Sequence, residues 1–136
     1  MNRALILIFL SLAAAGAAAA QSGAPNEMMT ARALKSELFG VRLSGIELST
    51  GERWSECIEP TGRTFYEFAG NRFEGLLAIT EAPEACFTYP GAGTSCFRVQ
   101  RAAKGYMFRG AGFGVTYHAS KIERGIRTCV ASDLIG

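Results

Sequence analysis

Ala85-Cys86-Phe87-Thr88-Tyr89-Pro90-Gly91-Ala92-Gly93-Thr94-Ser95-Cys96-Phe97-Arg98-Val99 is the stretch whose reading decides the fold. Two short aromatic runs, each opened by a cysteine, flank a Pro-Gly-Ala-Gly turn, which is the pattern of a β-hairpin with a glycine-containing loop. With the turn centred near Gly91, Cys86 falls opposite Cys96, within reach of a cross-strand disulfide. Phe87, Tyr89, Phe97 and Val99 then share the face opposite the cysteines, because side chains alternate along a strand.

Upstream and downstream of this hairpin the same grammar repeats. Val41–Leu48 reads as a strand with Gly45 as a bulge or bend, where the inward face can switch. Arg53–Ile58 places Trp54 and Ile58 on one face and Cys57 on the other. Thr64–Phe68 sets Phe65 against Tyr66 and Phe68, and Arg72–Ile79 carries Phe73, Leu77 and Ile79 on one side. Tyr106–Arg109, Val115–Ala119 and Ile126–Val130 complete the series. Glycine- and proline-containing turns recur about every eight to twelve residues, the spacing of an antiparallel meander rather than of βαβ units. We therefore expect an all-β domain of about eight strands, closed into a small barrel in preference to a two-layer sandwich, since closure removes the sheet edges.

One helix precedes the strands. Thr30 is an N-cap, Met29 and Leu34 occupy the staple positions around it, and Leu34 and Leu38 share a face. The helix is expected to run to about Phe39, with Gly40 as its stop. Ahead of it, Arg3, the apolar run Ala4–Leu12 and Ala18-Ala19-Ala20 form a secretory signal peptide, residues 1–20. Residues 21–29 read as a flexible leader, 30–130 as a single disulfide-stapled domain, and 131–136 as a C-terminal tail. A mature chain from Gln21 keeps 136 − 20 = 116 residues, enough to bury about two thirds of its unfolded surface.

Charge and cysteine content narrow the function classes. The net charge is +2, and losing Arg3 with the signal leaves 13 basic against 12 acidic residues. Near-neutrality argues against a nucleic-acid partner, and no stretch after the signal approaches transmembrane length. All four cysteines, Cys57, Cys86, Cys96 and Cys129, lie in the mature part, and an even count in a secreted chain reads as two disulfides. Three pairings are formally open. The hairpin selects Cys86–Cys96 and leaves Cys57–Cys129, which would tie an early strand to the last one. The chain-entropy estimate assigns them about 3 and about 4.5 kcal/mol. A zinc site would need close C-x2-4-C pairs, which are absent.

Catalytic constellations are poorly supplied. A triad would have to use His118 and Asp133, the only histidine and the only aspartate, without a nucleophile-elbow motif. Glu56, Glu59, Glu67 and Glu74 could in principle furnish a carboxylate pair, but their spacing singles out no two, and solvated glutamates are the default. Gly110–Gly114 is followed by a strand, so it reads as a bend and not as a dinucleotide loop. We expect no enzymatic activity, no metal and no cofactor. What remains is recognition. Trp54, Tyr66, Tyr89, Tyr106 and Tyr117 combine an apolar body with a polar tip, and Arg98, Arg101, Lys104 and Arg109 lie on two neighbouring strands. The candidate binding surface is Trp54, Tyr66, Arg98, Tyr106 and Arg109, and the candidate partner a small apolar ligand or an envelope protein.

Leu38-Phe39-Gly40, Ile58-Glu59-Pro60-Thr61-Gly62-Arg63, and Cys86-Phe87 with Cys96-Phe97-Arg98-Val99 give the chain a likeness over about residues 31 to 109. It resembles a class of small periplasmic or secreted bacterial proteins of unknown function with a signal peptide, a short N-terminal helix and paired Cys-Phe strands. It departs from them where Gly75-Leu76-Leu77 replaces a Gly-x-Trp, and in its extra pair Cys57 and Cys129. More distantly it is similar to lipocalin-like barrels and to the barrel-shaped lysozyme inhibitors of bacterial envelopes, though no inhibitory motif maps onto this chain. The resemblance implies a non-enzymatic envelope protein. We expect a binding or inhibitor domain first, a structural envelope accessory without ligand as the alternative, and an unrecognised hydrolase as a remote one.

Overall fold

The computed structural model describes residues 24–112 and 114–129. Among the described residues one helix, α1 (Ala31–Glu37), precedes eight strands: β1 (Val41–Glu47), β2 (Arg53–Ile58), β3 (Arg63–Phe68), β4 (Asn71–Ile79), β5 (Ala85–Tyr89), β6 (Gly93–Arg101), β7 (Tyr106–Gly110) and β8 (Thr116–Arg124). Each strand pairs antiparallel with the next, and β1 pairs with β8, so the meander closes into a barrel. An eight-stranded barrel has an interior just wide enough to be filled by side chains or to hold one small ligand. The expected signal peptide, the first three residues of the expected leader, Val130 and the expected tail lie outside the described residues.

Closure explains a departure from the expected role of Cys57–Cys129. The hairpin disulfide Cys86–Cys96 joins directly opposed residues of β5 and β6, as the turn geometry requires. The second disulfide, Cys57–Cys129, is also formed, yet it does not close the sheet. Main-chain bonds between β1 and β8 do that. Ile126–Cys129 is not a strand; it runs outside the barrel, where Cys57, Phe65 and Cys129 form a small external cluster with Ile126 against it. Arg63 and Arg72 stack on the Phe65 ring at 4.7 and 4.4 Å, and the Arg72 guanidinium donates to the Cys129 carbonyl at 2.6 Å.

The bulge also sits one strand away from where the glycine suggested. The β1–β8 register shifts between Ser44 and Gly45, and the extra residue is Ser120 on β8. A Cβ on Gly45 would lie 1.7 Å from the His118 carbonyl oxygen, so glycine is needed there for close approach of the two backbones. The inward face therefore switches on β8, from Tyr117 and Ala119 to Ile122, while β1 keeps its phase. His118 is left outside the barrel, its Nε2 2.9 Å from the Lys104 carbonyl oxygen.

Helix α1 seals one end. Thr30 Oγ1 accepts from the Ala33 N–H, and Met29, Leu34 and Leu38 are buried in the main core. The helix stops at Glu37, earlier than expected, with Leu38 as its C-cap. Part of the segment read as a flexible leader is docked: Asn26 and Met29 N–H groups donate to Arg101 and Val99 carbonyls, extending the sheet beside β6 where β5 no longer reaches. A polar clamp fixes the helix. Glu37 accepts from Arg101 at 2.5 and 2.8 Å and from the Tyr106 hydroxyl at 2.6 Å, while Arg124 donates to the same hydroxyl at 2.8 Å. The Arg101 bonds hold the Glu37 carboxyl below its ordinary value against the opposing effect of burial.

Inward side chains sort along the barrel axis. Near the helix they are mainly aliphatic, Leu34, Leu38, Val41, Ile58, Leu77 and Val99, with Tyr106 beside them. Beyond this dry floor they are nearly all aromatic. That change of side-chain type creates the site.

Candidate functional site

Above the aliphatic floor lies a cavity of about 390 Å³, lined by nine aromatic residues: Trp54, Tyr66, Phe68, Phe73, Phe87, Tyr89, Phe97, Phe108 and Tyr117. Leu43, Ala92, Ser95 and one ionisable aliphatic side chain, Glu56, complete the wall. The cavity reaches the end of the barrel opposite α1, where Phe73 and Ala92 are exposed beside the β3–β4 and β5–β6 turns. Rigid rings cannot interdigitate as closely as branched aliphatic chains, and here they stand edge to face around a central space. Trp54 meets Tyr117 at 5.4 Å between centroids and Phe97 meets Tyr117 at 5.7 Å, both edge-on.

Glu56 reaches the interior because β2 alternates: Trp54, Glu56 and Ile58 point in, while Cys57 points out to its disulfide. It is 4% exposed. One carboxyl oxygen is bound to the Thr64 hydroxyl, and the other accepts from the Tyr89 hydroxyl at 2.7 Å. Thr64 Oγ1 also lies 3.0 Å from the Cys57 carbonyl oxygen. A hydroxyl has one proton, so Thr64 cannot make a full hydrogen bond to both acceptors at once. A protonated Glu56 resolves this, donating to Thr64, which then donates to Cys57, while Tyr89 donates to the second carboxyl oxygen. Burial dominates the electrostatics in the same sense and pushes the Glu56 carboxyl up to about 8, against the opposing pull of the Thr64 and Tyr89 hydrogen bonds.

Tyr89 gets there by way of Gly75. A Cβ on Gly75 would come within 2.4 Å of the Thr88 carbonyl oxygen and 2.6 Å of the Tyr89 ring. The missing side chain on β4 is the space into which that ring lies. Burial raises the Tyr89 hydroxyl well above the usual phenol range, and the Glu56 carboxyl adds to this when it is ionised. Tyr66 is raised likewise, first by burial and then by the Tyr117 hydroxyl. These phenols therefore act as neutral hydrogen-bonding groups. A further donor waits unused: Trp54 Nε1 is buried and meets no acceptor among the described residues.

The residues singled out from sequence divide among three places. Trp54 and Tyr66 line the cavity. Tyr106 belongs to the helix clamp at the far end. Arg98 and Arg109 face each other across β6 and β7 on the outer wall, Arg109 donating to Gln100 at 3.1 Å; they do not share a surface with the cavity residues. The candidate carboxylates separate too. Glu59 accepts from the buried Cys129 N–H at 2.9 Å, and Glu67 and Glu74 pair with Arg72 and Arg63 outside. Asp133 lies outside the described residues. Glu84, Cys86 and Cys96 are the one group of three potential metal ligands clustered among the described residues, and both its sulfurs are spent in a disulfide.

Glu56 is buried, where the sequence alone leaves it among glutamates expected to be solvated. The signal was available, since Glu56 sits two residues from both Trp54 and Ile58 and so shares their inward face. Comparison of the chain with protein-family models, with curated proteins and with solved structures returns no match.

Proposed function

We propose that this protein is an extracytoplasmic binding protein that takes up one small, mainly aromatic or apolar molecule in the open end of its barrel. The observation that carries this reading is the aromatic cavity with its few convergent polar groups, Glu56, the phenols and Trp54 Nε1, which is the general form of a small-molecule site. Its volume is more than twice that of the ~150 Å³ core cavity that accommodates benzene. A sealed aliphatic floor and a two-disulfide frame support a preformed site, since rigid walls lower the ordering cost of binding. Two disulfides fit an oxidising compartment.

The wall polarity argues for a water-surrounded barrel. Ion pairs such as Arg42–Glu123 and Arg63–Glu74 stand outside and the apolar side chains inside, the inverse of a membrane-spanning barrel. No helix among the described residues is long and apolar enough to cross a membrane.

Trp54 is the only tryptophan and lines the cavity, so its emission reports occupancy. Titration with the neutral dye N-phenyl-1-naphthylamine is expected to give saturable one-to-one binding with quenching of Trp54. A Ser95→Phe variant, which fills the cavity from β6, is expected to abolish it. Absence of saturable uptake by the folded wild type, or unchanged uptake by the filled variant, would sink the ligand-binding reading.

A further inference from the structure

Resting on that ligand-binding reading, we infer that the ligand is an organic cation, an ammonium carried on an aromatic or apolar body, and that it enters in exchange for the proton held on Glu56. Among the described residues, the cavity lining contains one acid and no lysine, arginine or histidine. An anionic ligand would therefore have no counter-charge and would meet a carboxyl group. A wholly apolar ligand would leave the one charged-capable group of the cavity without a role.

A cation matches both parts of the wall. Ring faces attract ammonium groups through their quadrupoles, and the attraction grows as water is excluded. The buried carboxyl supplies the balancing charge once it ionises. Around Glu56 the neighbouring groups are Leu43 from β1, Thr64 and Tyr66 from β3 and Tyr89 from β5, with Tyr117 from β8 in the same wall, none of them basic. Glu47, farther up β1, is the next acid, and its carboxylate is already occupied by the N–H and hydroxyl groups of Ser49 and Thr50.

The exchange balances without another reactant. Glu56 in the empty cavity is a neutral acid donating to Thr64. When the ammonium arrives, the carboxyl proton leaves to bulk water, and the carboxylate accepts from Thr64, Tyr89 and the ligand N–H. The cavity is neutral before and after. Burial, which holds the proton on Glu56 near neutral pH, is what couples binding to proton release. Apparent affinity for the cation is then expected to rise about tenfold per pH unit below the Glu56 midpoint and to level off above it.

Three probes matched in their rings test this by calorimetry: 2-naphthylethylamine, 2-naphthylethanol and 2-naphthylacetate. The amine is expected to bind on the order of tenfold or more tighter than the alcohol, since a hydrogen bond to a charged partner exceeds a neutral one, and the acetate weakest. Titrations of the wild type near pH 6.5 in buffers of different ionisation enthalpy are expected to show about one proton released with the amine and none with the alcohol. Glu56→Gln should lose the amine's advantage while keeping the alcohol, and the wild-type proton count stands even if that variant folds poorly. Equal affinity for amine and alcohol, or amine binding with no proton released, overturns the cation inference and leaves ligand binding intact. Failure of all three probes also overturns it, and the neutral-dye titration then decides the broader reading separately.

Discussion

Glu56→Gln should make the stability of this barrel depend less on pH, and the size of the change follows from the structure. The unfolded carboxyl titrates near 4.5, whereas burial in the aromatic cavity raises it to about 8 in the folded protein. Because the folded state holds its proton longer, the group's contribution is fully present below pH 4.5 and is lost as pH rises to about 8. The slope is 1.36 kcal/mol per unit, so the wild type should lose about 5 kcal/mol between those limits through this side chain alone. That is comparable to the whole stability of many domains, and two disulfides help the fold to tolerate it. Guanidinium unfolding at half-unit intervals from pH 4.5 to 8.5, with disulfides intact, measures it. Glu56→Gln, neutral at every pH, should gain on the wild type by about 1.4 kcal/mol per unit across the window. Parallel curves would show that Glu56 is ionised in the folded state and that Thr64 donates to it and not to the Cys57 carbonyl.

Other consequences are independent of that one. Glu37→Gln should show the opposite pH sign: its carboxyl is lowered by Arg101, so the stability it adds is present at neutral pH and lost on acidification, and the variant should be weakened at pH 7 but converge on the wild type in acid unfolding scans. Gly75→Ala should cost about 1–3 kcal/mol by crowding the Thr88 carbonyl and the Tyr89 ring, and it should also weaken uptake of the dye, which plain loss of stability would not do in a folded sample. Replacing Cys57 and Cys129 together should lower stability by up to about 4.5 kcal/mol and open the segment after β8 to proteolysis. Dye binding should survive, because the β1–β8 ladder and not this disulfide closes the barrel. Loss of the closed sheet in that variant, seen by hydrogen exchange of β1 and β8 amides, would contradict the assignment.

Much of the architecture can be traced to local chemistry in the chain. Pro90-Gly91-Ala92-Gly93 between two Cys-Phe runs sets a hairpin whose register puts Cys86 opposite Cys96, and that choice leaves Cys57 for Cys129. Alternation around Trp54, Cys57 and Ile58, and around Phe65, Tyr66 and Phe68, assigns faces correctly before any partner strand is known. Thr30, Met29 and Leu34 start the helix as capping requires. These signals are legible because each depends on residues within a few positions of one another.

The rest depends on neighbours distant in sequence. Gly45 marks a close approach in β1, but which strand bulges was settled by His118 and Ser120, some seventy residues on. Arg98, Arg109 and Tyr106 look like companions of Trp54 in a list of polar and aromatic residues, and the barrel sends them to its wall and its sealed end. Above all, the sequence by itself determined that Glu56 shares a face with Trp54 and Ile58. Only closure of the sheet turns this face into an aromatic cup and away from water: the neighbouring strand of a local hairpin supplies Thr64, but Tyr89 reaches the carboxyl from β5, and the closed wall removes the solvent that would otherwise keep it ionised.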